Sequence, residues 1–448
     1  MTSLREAPVL QGQAEREQLA DIASAVRSEV LASFASRARD LAAPRSLTAP
    51  EQAGLLVDQV LDRRAAARAA AGEPSLGIEQ ERLVRQLALS MLFGLGALQL
   101  YIDDASVENI DVNGHERAFV TYADGAKKLV GPVAASDEEL VSLVRSAGAR
   151  FGLSERRFDA AQPEIDLRLP DGSRLSAVMG VTEHPVVDIR RHRMQDEDLA
   201  GIVALGMLDE EIALFLARAV ESKQNILVSG AMNAGKTTLL RALAAAIPPE
   251  ERIVTIEQAL ELGLERQTGR HPDCVAMEAR LANTEGEGAI GMARLVRRSL
   301  RMNASRVIVG EVLGDEIIPM LNAMSQGRSG SMATIHADSS AGVFRRIAAY
   351  AVQAPERLPL EATNLLIAGA IHFVVHLDWC RSTAGRPQRR VVSVREVIDA
   401  DGPLVISNEI WQADRSGAVV RAAPLSERAK GAIGAAALVQ DPAVAPWA

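Results

Sequence analysis

The feature that most constrains this sequence is the stretch SGAMNAGKTTLL at residues 229–240. Its spacing, G-x-x-x-x-G-K-T, fits a loop that wraps backbone N–H groups around a phosphate. The apolar run QNILV precedes it and TTLLRALAAAI follows, which predicts a strand, a loop and a helix in that order. The start of the helix adds N–H donors and the positive end of its dipole. The alternative is a glycine-bearing turn that holds no ligand.

The residue types in this loop predict how a nucleoside triphosphate and Mg²⁺ would be held. Lys236 has the reach to meet the β- and γ-phosphates as a point charge, and the hydroxyl of Thr237 is a ligand for Mg²⁺. The predicted phosphate-binding residues are Gly230, Asn233, Ala234, Gly235, Lys236, Thr237 and Thr238.

Length, charge and cysteine content limit the class of protein. A chain of 448 residues is long enough for two or three domains, and its net charge of −9 argues against a nucleic-acid surface. The two cysteines, Cys274 and Cys380, have no partner at metal-ligand spacing, which fits a reducing compartment. The N-terminus has no apolar signal segment, and the uncharged run from Gln86 to Ile102 is short for a membrane span. We expect a cytoplasmic protein that reaches a membrane only through partners.

The first part of the chain is predicted to be helical. Residues 14–43, 48–71 and 77–94 have helical periodicity, and the second of these segments begins with an early proline and an acid. Residues 1–75 therefore form a helical N-terminal extension in this interpretation. Its role stays open between an arm for interactions and a small helical cap on the next domain.

Residues 76–198 are predicted to form an α+β domain. Short strand-like segments such as VENIDVNG and ERAFVTY alternate with turn residues, and the PDG at 170–172 joins two alternating strands. This pattern is typical of an antiparallel sheet. Residues 199–204 are predicted to be a linker.

Residues 205–425 are predicted to form an α/β domain. ILVSG, IVTIE, VIVGE and SMATIHAD are short apolar runs that alternate with helices, as in a buried parallel sheet. After Leu377 the pattern returns to short strands, and the Ala-rich residues 426–448 are predicted to be a flexible tail.

Several predicted parallel strands end at a polar residue. One ends in the phosphate loop, and the others end at Glu257, Glu311 and His336. Ligands of an open parallel sheet bind beyond the carboxyl ends of its strands, so neighbouring strands would bring these groups to one crevice. Glu311 would hold the Mg²⁺ shell or polarise water, and Glu257 would orient or deprotonate the attacking water. His336 would sense the γ-phosphate or link the nucleotide state to the next subunit. Each residue alone is equally compatible with a solvated or structural role.

The motifs together resemble the type II/IV secretion (traffic) ATPases, and most closely the Flp/Tad pilus assembly ATPases of the CpaF-like kind. IVTIEQALEL is similar to their acidic box, RLVRRSLRMNASRVIVGEVLGDE to their Walker B segment, and GRSGSMATIHADS to their histidine box. Upstream, FGLGALQLYIDDASVENIDVNG, EIDLRLPDGSRLSAV and VVDIRR resemble segments of their N-terminal domain. The resemblance covers roughly residues 75–380.

The resemblance implies a homohexameric ring of RecA-like P-loop NTPase domains, each preceded by an α+β, PAS-like N-terminal domain. It implies ATP and Mg²⁺ as ligands, nucleotide held between the two domains, and an inner-membrane platform protein as partner at the inner face of the cell membrane. It also implies that Lys236, Glu257, Glu311 and His336 act in catalysis. The arginines that match those near the phosphates or the Walker B segment are Arg174, Arg190, Arg168, Arg280 and Arg301.

The sequence departs from the pattern of this family at three places. Gln258 stands where the acidic box has aspartate, Leu313 stands where an arginine follows GEV, and the loop reads AMNAGKT in place of GTGSGKT with both fixed glycines kept. Hydrolysis is still expected, with a slower rate as one consequence of these changes.

Three other functions fit part of the sequence. A RecA-like ring also moves nucleic acid, which the acidic net charge disfavours. A nucleotide-binding scaffold without hydrolysis would fit Gln258 and Leu313. A small-molecule kinase would use the phosphate loop but leaves the histidine box and the N-terminal domain without a role.

Overall fold

The computed structural model describes residues 13–37, 49–123, 125–151, 157–191, 197–280, 282, 286–327, 329–381, 387–414 and 417–434. The chain divides into two compact units, Met1–Arg193 and Met194–Ala448. Within the helices of the described ranges, no segment has both the length and the apolar character that a membrane span requires.

The first unit begins with a bundle of three helices. The helices are α1 (Gln13–Arg37), α2 (Ala49–Ala70) and α3 (Ile78–Phe93). They bury a common apolar core that includes Leu19, Val26, Val60 and Leu87. The predicted boundaries of α2 and α3 agree to within one residue, whereas residues 38–43 of the first predicted helix lie outside the described residues.

The predicted boundary after residue 75 separates α3 from the helices that it packs against. Leu83, Val84 and Leu87 of α3 share the core of α1 and α2, so the bundle continues to residue 93. Arg27 of α1 forms an ion pair of 2.6 Å with Glu139, a residue of the α+β part of the same unit. This packing favours the helical cap over the free arm.

The rest of the first unit is the α+β structure that the sequence predicts. Its six strands are antiparallel throughout and lie in the order β3-β2-β1-β6-β5-β4. One face of the sheet is apolar and buried, and the other face is polar. The predicted turn at 170–172 joins β4 to β5, where the N–H of Leu169 donates to the carbonyl of Ser173 at 2.8 Å. The elements are α4 (Leu98–Asp103), β1 (Val107–Asn113), β2 (Ala118–Tyr122), β3 (Lys127–Gly131), α5 (Asp137–Phe151), β4 (Glu164–Arg168), β5 (Arg174–Val178) and β6 (Val186–Arg190).

The second unit is an α/β domain that is built on one sheet of nine strands. Its helices are α6 (Leu199–Ala204), α7 (Glu210–Glu221), α8 (Lys236–Ala244), α9 (Met292–Ser299), α10 (Ile317–Ser325), α11 (Gly342–Gln353), α12 (Leu360–Ala370) and α13 (Glu427–Ile433), with one 3-10 turn at Leu264–Arg266. Its strands are β7 (Ile226–Gly230), β8 (Ile253–Glu257), β9 (Cys274–Glu278), β10 (Arg306–Val312), β11 (Met332–His336), β12 (Phe373–Arg381), β13 (Pro387–Asp401), β14 (Leu404–Ala413) and β15 (Val419–Arg421).

The order of the strands determines which strand ends meet. Six strands pair in parallel in the order β12-β7-β11-β10-β8-β9, and β13, β14 and β15 extend the sheet in antiparallel fashion. All residues of β7 and β8 are buried, as expected for strands covered on both faces. The carboxyl ends of β7, β11, β10 and β8 therefore lie side by side along one edge.

Two segments differ from the sequence prediction. Residues 199–204, predicted to be a linker, form α6, because Leu199 and Ile202 are buried in the core and Asp198 accepts a capping hydrogen bond from the N–H of Gly201 at 2.9 Å. The predicted tail begins with α13, whose Ala429 is buried, and residues 435–448 lie outside the described residues. The C-terminal strands β13 and β14 are also longer than the short strands that the sequence predicts after Leu377, because each pairs with its neighbour over most of its length.

A buried ion pair stabilises the opposite edge of this sheet. The guanidinium of Arg306, at the start of β10, is fully buried and donates to both carboxylate oxygens of Glu251 at 2.9 and 2.8 Å. It also donates to the carbonyl of Val220 at 2.7 Å. We expect Arg306→Ala to lower the free energy of unfolding by about 3–5 kcal/mol, because the carboxylate of Glu251 would stay buried without its main partner. Urea unfolding monitored by circular dichroism measures this loss.

An exposed ion pair serves as the control for this prediction. Arg390 donates to both carboxylate oxygens of Asp209 at 2.9 Å, but the side chain of Asp209 is 49% exposed. Arg390→Ala should cost no more than about 1 kcal/mol, since water screens an exposed pair. Equal losses for the two variants would contradict the role assigned to burial at Arg306.

Candidate nucleotide site

The predicted phosphate loop lies between β7 and α8, as the sequence indicates. Gly235 has a φ of +94° and directly precedes α8, and a Cβ atom there would lie 2.9 Å from Cε of Met207. A Cβ atom at Gly230 would lie 2.6 Å from the carbonyl oxygen of Leu377 on β12. Gly230 is therefore required by packing against the backbone of β12, whereas Gly235 is required by its positive φ, because the end of the flexible Met207 side chain can move. The first turn of α8 directs N–H groups toward the concave side of this loop.

Lys236, His336 and Glu311 form a chain of hydrogen bonds across the strand ends. The ammonium of Lys236 lies 3.0 Å from Nδ1 of His336, and Nε2 of His336 lies 2.6 Å from Oε1 of Glu311. A lysine ammonium has no acceptor, so Nδ1 accepts and the ring proton is on Nε2, which donates to Glu311. Lys236 also donates to the carbonyls of Gly230 and Ala231, at 3.2 and 2.9 Å. The structure thus brings together three residues that the sequence placed at separate strand ends.

Glu257 is a buried carboxylate with one oxygen held and one oxygen unpaired. Oε2 accepts the backbone N–H groups of Glu261 and Leu262 at 2.7 and 2.8 Å. Oε1 is inaccessible to solvent and has no hydrogen-bond partner in the described part of the chain. Burial raises the pKa of Glu257 from 4.5 to about 7; the two backbone N–H groups oppose this shift, and the charges of Glu261 and Glu265 add to it. A carboxyl group with this pKa can accept a proton near neutral pH.

The strand that carries Glu311 is shaped to accommodate Glu257. A Cβ atom at Gly310 would lie 2.8 Å from Cγ of Glu257, so only glycine lets β10 pass this close to the side chain on β8. Gly310 therefore leaves room for the side chain of Glu257, and the next residue, Glu311, is the predicted ligand of Mg²⁺.

The remaining predicted loop residues lie where the loop meets α8. Thr237 and Thr238 are half-buried in the first turn, Ala234 is buried, and Asn233 is exposed with a φ of +59°. Among the residues that the structure describes, no cluster of three or more His, Cys, Asp or Glu side chains could hold a metal ion. Mg²⁺ commonly binds to one or two protein oxygens together with substrate phosphates, which Thr237 and Glu311 fit.

The predicted arginines of the first unit lie in one row. Arg168 on β4 pairs in register with Arg174 on β5, and Arg174 pairs with Arg190 on β6. Residues directly opposite each other on antiparallel strands share a face, so the three guanidinium groups extend from the polar face of the sheet. Arg174 also forms a partly exposed ion pair with Asp166 at 3.3 Å. Three cations in one row form a surface that suits an anion.

Arg280 and Arg301 lie in the second unit and are exposed. Arg280 donates to the carbonyl of Gly288 at 2.8 Å, and its backbone forms an isolated bridge with Ile290. Arg301 follows the end of α9. The roles of both arginines stay predictions.

Two of the three departures from the family pattern, Gln258 and Leu313, lie at the surface. Gln258 is exposed, directly after the buried Glu257. Leu313 is 48% exposed, and its backbone N–H and that of Gly314 donate to the carboxylate of Glu316. Neither side chain replaces a group in the buried part of the site.

Sequence reasoning missed three residues that support the site. Ser229, just before the loop, has its hydroxyl 2.9 Å from Nδ1 of the buried His376 on β12. Burial lowers the pKa of His376, which favours the neutral ring. Arg241 of α8 is only 4% exposed and donates to the backbone carbonyls of Glu261 and Leu262. A lone arginine within the apolar run LLRALAAA was the available signal.

A buried parallel sheet whose strand ends surround such a loop defines a P-loop nucleotide-binding domain. The model of the family described as "Type II/IV secretion system protein" matches residues 94–404. The chain therefore belongs to the type II/IV secretion system protein family, as its motifs predicted.

Several known proteins are similar to this chain. A putative conjugal transfer protein of Mycobacterium tuberculosis (strain H37Rv) is 34% identical over 333 residues, which cover 72% of this chain and 90% of the relative. The type IV secretion system protein VirB11 of Brucella suis is 28% identical over 328 residues, which cover 67% and 88%. The crystal structure of the pilus retraction motor PilT with bound ADP shares the fold, with 16% identity, a TM-score of 0.50, and coverage of 68% of this chain and 83% of that chain.

Proposed function

We propose that this protein hydrolyses ATP to power pilus assembly or protein secretion through a membrane-embedded type II/IV secretion apparatus. The protein is an ATP hydrolase by its family and by its phosphate loop. The observation that carries the proposal is the arrangement at the strand ends, where the loop lysine contacts His336 and one oxygen of the buried Glu257 has no hydrogen-bond partner among the described residues.

Each residue of the site has a proposed role in hydrolysis. Lys236 supplies positive charge to the β- and γ-phosphates of ATP. Glu257 accepts a proton from the attacking water at Oε1, which requires that nucleotide binding admit a water to this buried oxygen, while the backbone N–H groups on Oε2 fix its orientation. His336 senses the γ-phosphate: when the ammonium of Lys236 moves to the phosphates, Nδ1 of His336 loses this hydrogen bond and is available for another partner. Thr237 and Glu311 would hold Mg²⁺, which when bound offsets charge on the phosphate oxygens.

The remaining features of the family enter as part of this proposal. Arg174 and Arg190, with Arg168 beside them, are proposed ligands of the ATP phosphates, supplied by this copy of the chain or by a neighbouring copy in the ring. The second unit is a RecA-like motor, the sheet of the first unit is PAS-like, and six copies form a ring. The partner is an inner-membrane platform protein, and the protein acts in the cytoplasm at the inner face of the membrane.

Two kinds of apparatus are candidates. The motifs resemble the CpaF-like ATPases of Tad pili, which favours pilus assembly. A second candidate is conjugal transfer, because the relative from M. tuberculosis is described as a putative conjugal transfer protein and matches 72% of this chain. The acidic net charge of −9 favours a role in which the motor acts on proteins and not directly on DNA.

The test is release of phosphate from ATP by purified protein. We expect turnover in Mg²⁺ that stops when EDTA removes the metal, since Lys236 alone does not offset the negative charge of the triphosphate beside the carboxylates of the site. Added DNA should not increase the rate. Tight ATP binding without phosphate release over hours would instead select the scaffold.

The state of assembly needs its own measurement. Light scattering coupled to size exclusion, with and without a non-hydrolysable ATP analogue, should give a mass near six copies of the 47.8 kDa chain. A monomer under both conditions would contradict the ring.

A further inference from the structure

Arg241 and Glu257 hold opposite ends of one peptide group. The carbonyl of Glu261 accepts a hydrogen bond from Nη2 of Arg241, and the N–H of the same peptide, that of Leu262, donates to Oε2 of Glu257 at 2.8 Å. Nε of Arg241 donates to the next carbonyl, that of Leu262, at 3.0 Å. In a trans peptide the C=O and N–H bonds point in opposite directions, so the arginine and the carboxylate lie on opposite sides of the segment.

We infer that Arg241 is a positioning residue for the catalytic carboxylate of Glu257, and that it acts through the peptide between Glu261 and Leu262. This inference rests on the proposed role of Glu257 as the base. The guanidinium is a planar fork, so two bonds to successive carbonyls fix the segment in one orientation. The positive charge polarises the peptide and strengthens its N–H as a donor to Oε2.

The location of Arg241 adds to its effect. Arg241 is on α8, the helix that begins with Lys236, and its side chain is only 4% exposed. The carboxylate of Glu257 is thereby tied to the same rigid element as the phosphate-binding lysine. Without these hydrogen bonds the segment at Glu261 and Leu262 could shift, and Oε1 of Glu257 would no longer be held in one orientation. The residues that contact the phosphates would stay in place.

The experiment compares the full-length protein with Arg241→Gln, Arg241→Lys, Glu257→Gln and the double variant Arg241→Gln/Glu257→Gln. Steady-state phosphate release gives kcat and KM, and a fluorescent ATP analogue reports binding. We expect Arg241→Gln to lower kcat about 10- to 100-fold, the loss that a displaced catalytic group causes, with KM changed no more than about threefold. Arg241→Lys should recover part of kcat, because the ammonium keeps the charge and one carbonyl bond.

The double variant separates positioning from a general structural effect. If Arg241 acts through Glu257, then Arg241→Gln should not slow an enzyme that already lacks the carboxylate. The matched control is Arg252→Gln: Arg252 donates to the carbonyl of Met302 at 2.8 Å but precedes β8, at the end opposite to Glu257. It should keep kcat within about twofold, as expected for a residue without a role in the transition state.

The outcomes distinguish this inference from the proposed function. An unchanged kcat in Arg241→Gln, together with an inactive Glu257→Gln, would overturn the positioning role alone. A double variant clearly slower than Glu257→Gln would also overturn it, since Arg241 would then act elsewhere. Full activity in Glu257→Gln would instead remove the base on which the inference rests. If Arg241→Gln does not fold, Arg241→Lys decides, and a parental kcat in it contradicts the inference.

Discussion

We expect ATP turnover to fall at least about 100-fold in a Lys236→Ala variant, comparable to the loss of a charge-stabilising donor in other active sites. Lys236 is 7% exposed and lies at the start of α8, so its charge reaches the phosphates without competition from bulk water. Alanine is a good helix former, so the change is compatible with the first turn of α8. Phosphate release under saturating ATP and Mg²⁺ measures the effect.

Lys430→Ala is the matched control for this variant. Lys430 lies on α13 of the same unit and forms a partly exposed ion pair of 2.6 Å with Glu427. Its removal should leave turnover unchanged, since an exposed pair contributes little. A fluorescent ATP analogue should bind Lys236→Ala more weakly than the parent protein. Undiminished turnover by a clean Lys236→Ala preparation would end the assignment of this loop as the site of hydrolysis.

The hydrogen-bonded chain Lys236–His336–Glu311 shows which parts of the site can be predicted from the sequence pattern of buried strands and which cannot. A fully buried strand carries no ionisable residue along its length, so the first ionisable residue marks the end at which ligands bind. That rule placed Glu257, Glu311 and His336 at strand ends. The order β7-β11-β10-β8 was not available from local sequence, because it depends on how the connecting helices cross the sheet. Only the structure brings the lysine within 3.0 Å of the histidine.

The residues that sequence reasoning missed depend on tertiary contacts. Arg241 bonds to backbone carbonyls about 20 residues away, and a carbonyl acceptor leaves no signature in the sequence. The segment 199–204 is too short and too rich in small residues for a confident helical pattern, and burial of Leu199 and Ile202 decides its conformation. After Leu377 the sequence predicts short strands, and the long pairing of β13 with β14 extends them.

Glu257→Gln should reduce turnover by about 10²- to 10⁴-fold while ATP binding is retained, because the amide cannot accept the proton of water. Glu278→Gln is the matched control, since Glu278 on β9 is in register with Glu257 and only half-buried. It should retain most of the parental rate. If the Glu257→Gln variant keeps the parental rate, then Glu257 is not the base and another group has that role.

The pKa of Glu257 predicts opposite effects on activity and stability. Turnover by the parent protein should decline as pH falls through about 7, because protonation removes the base, and this decline should be absent from the residual rate of Glu257→Gln. The folded-state pKa is raised above its ordinary value of 4.5, so the stabilising contribution of this group is present at low pH and lost as pH rises from about 4.5 to about 7. At pH 8 the folded protein therefore holds an unfavourable buried carboxylate, and Glu257→Gln should gain roughly 1–3 kcal/mol of unfolding free energy. A melting temperature at pH 8 that is unchanged or lower in Glu257→Gln would contradict this destabilisation. A higher melting temperature together with lost turnover would show that the protein gives up stability to keep a buried carboxylate that acts as a base near neutral pH.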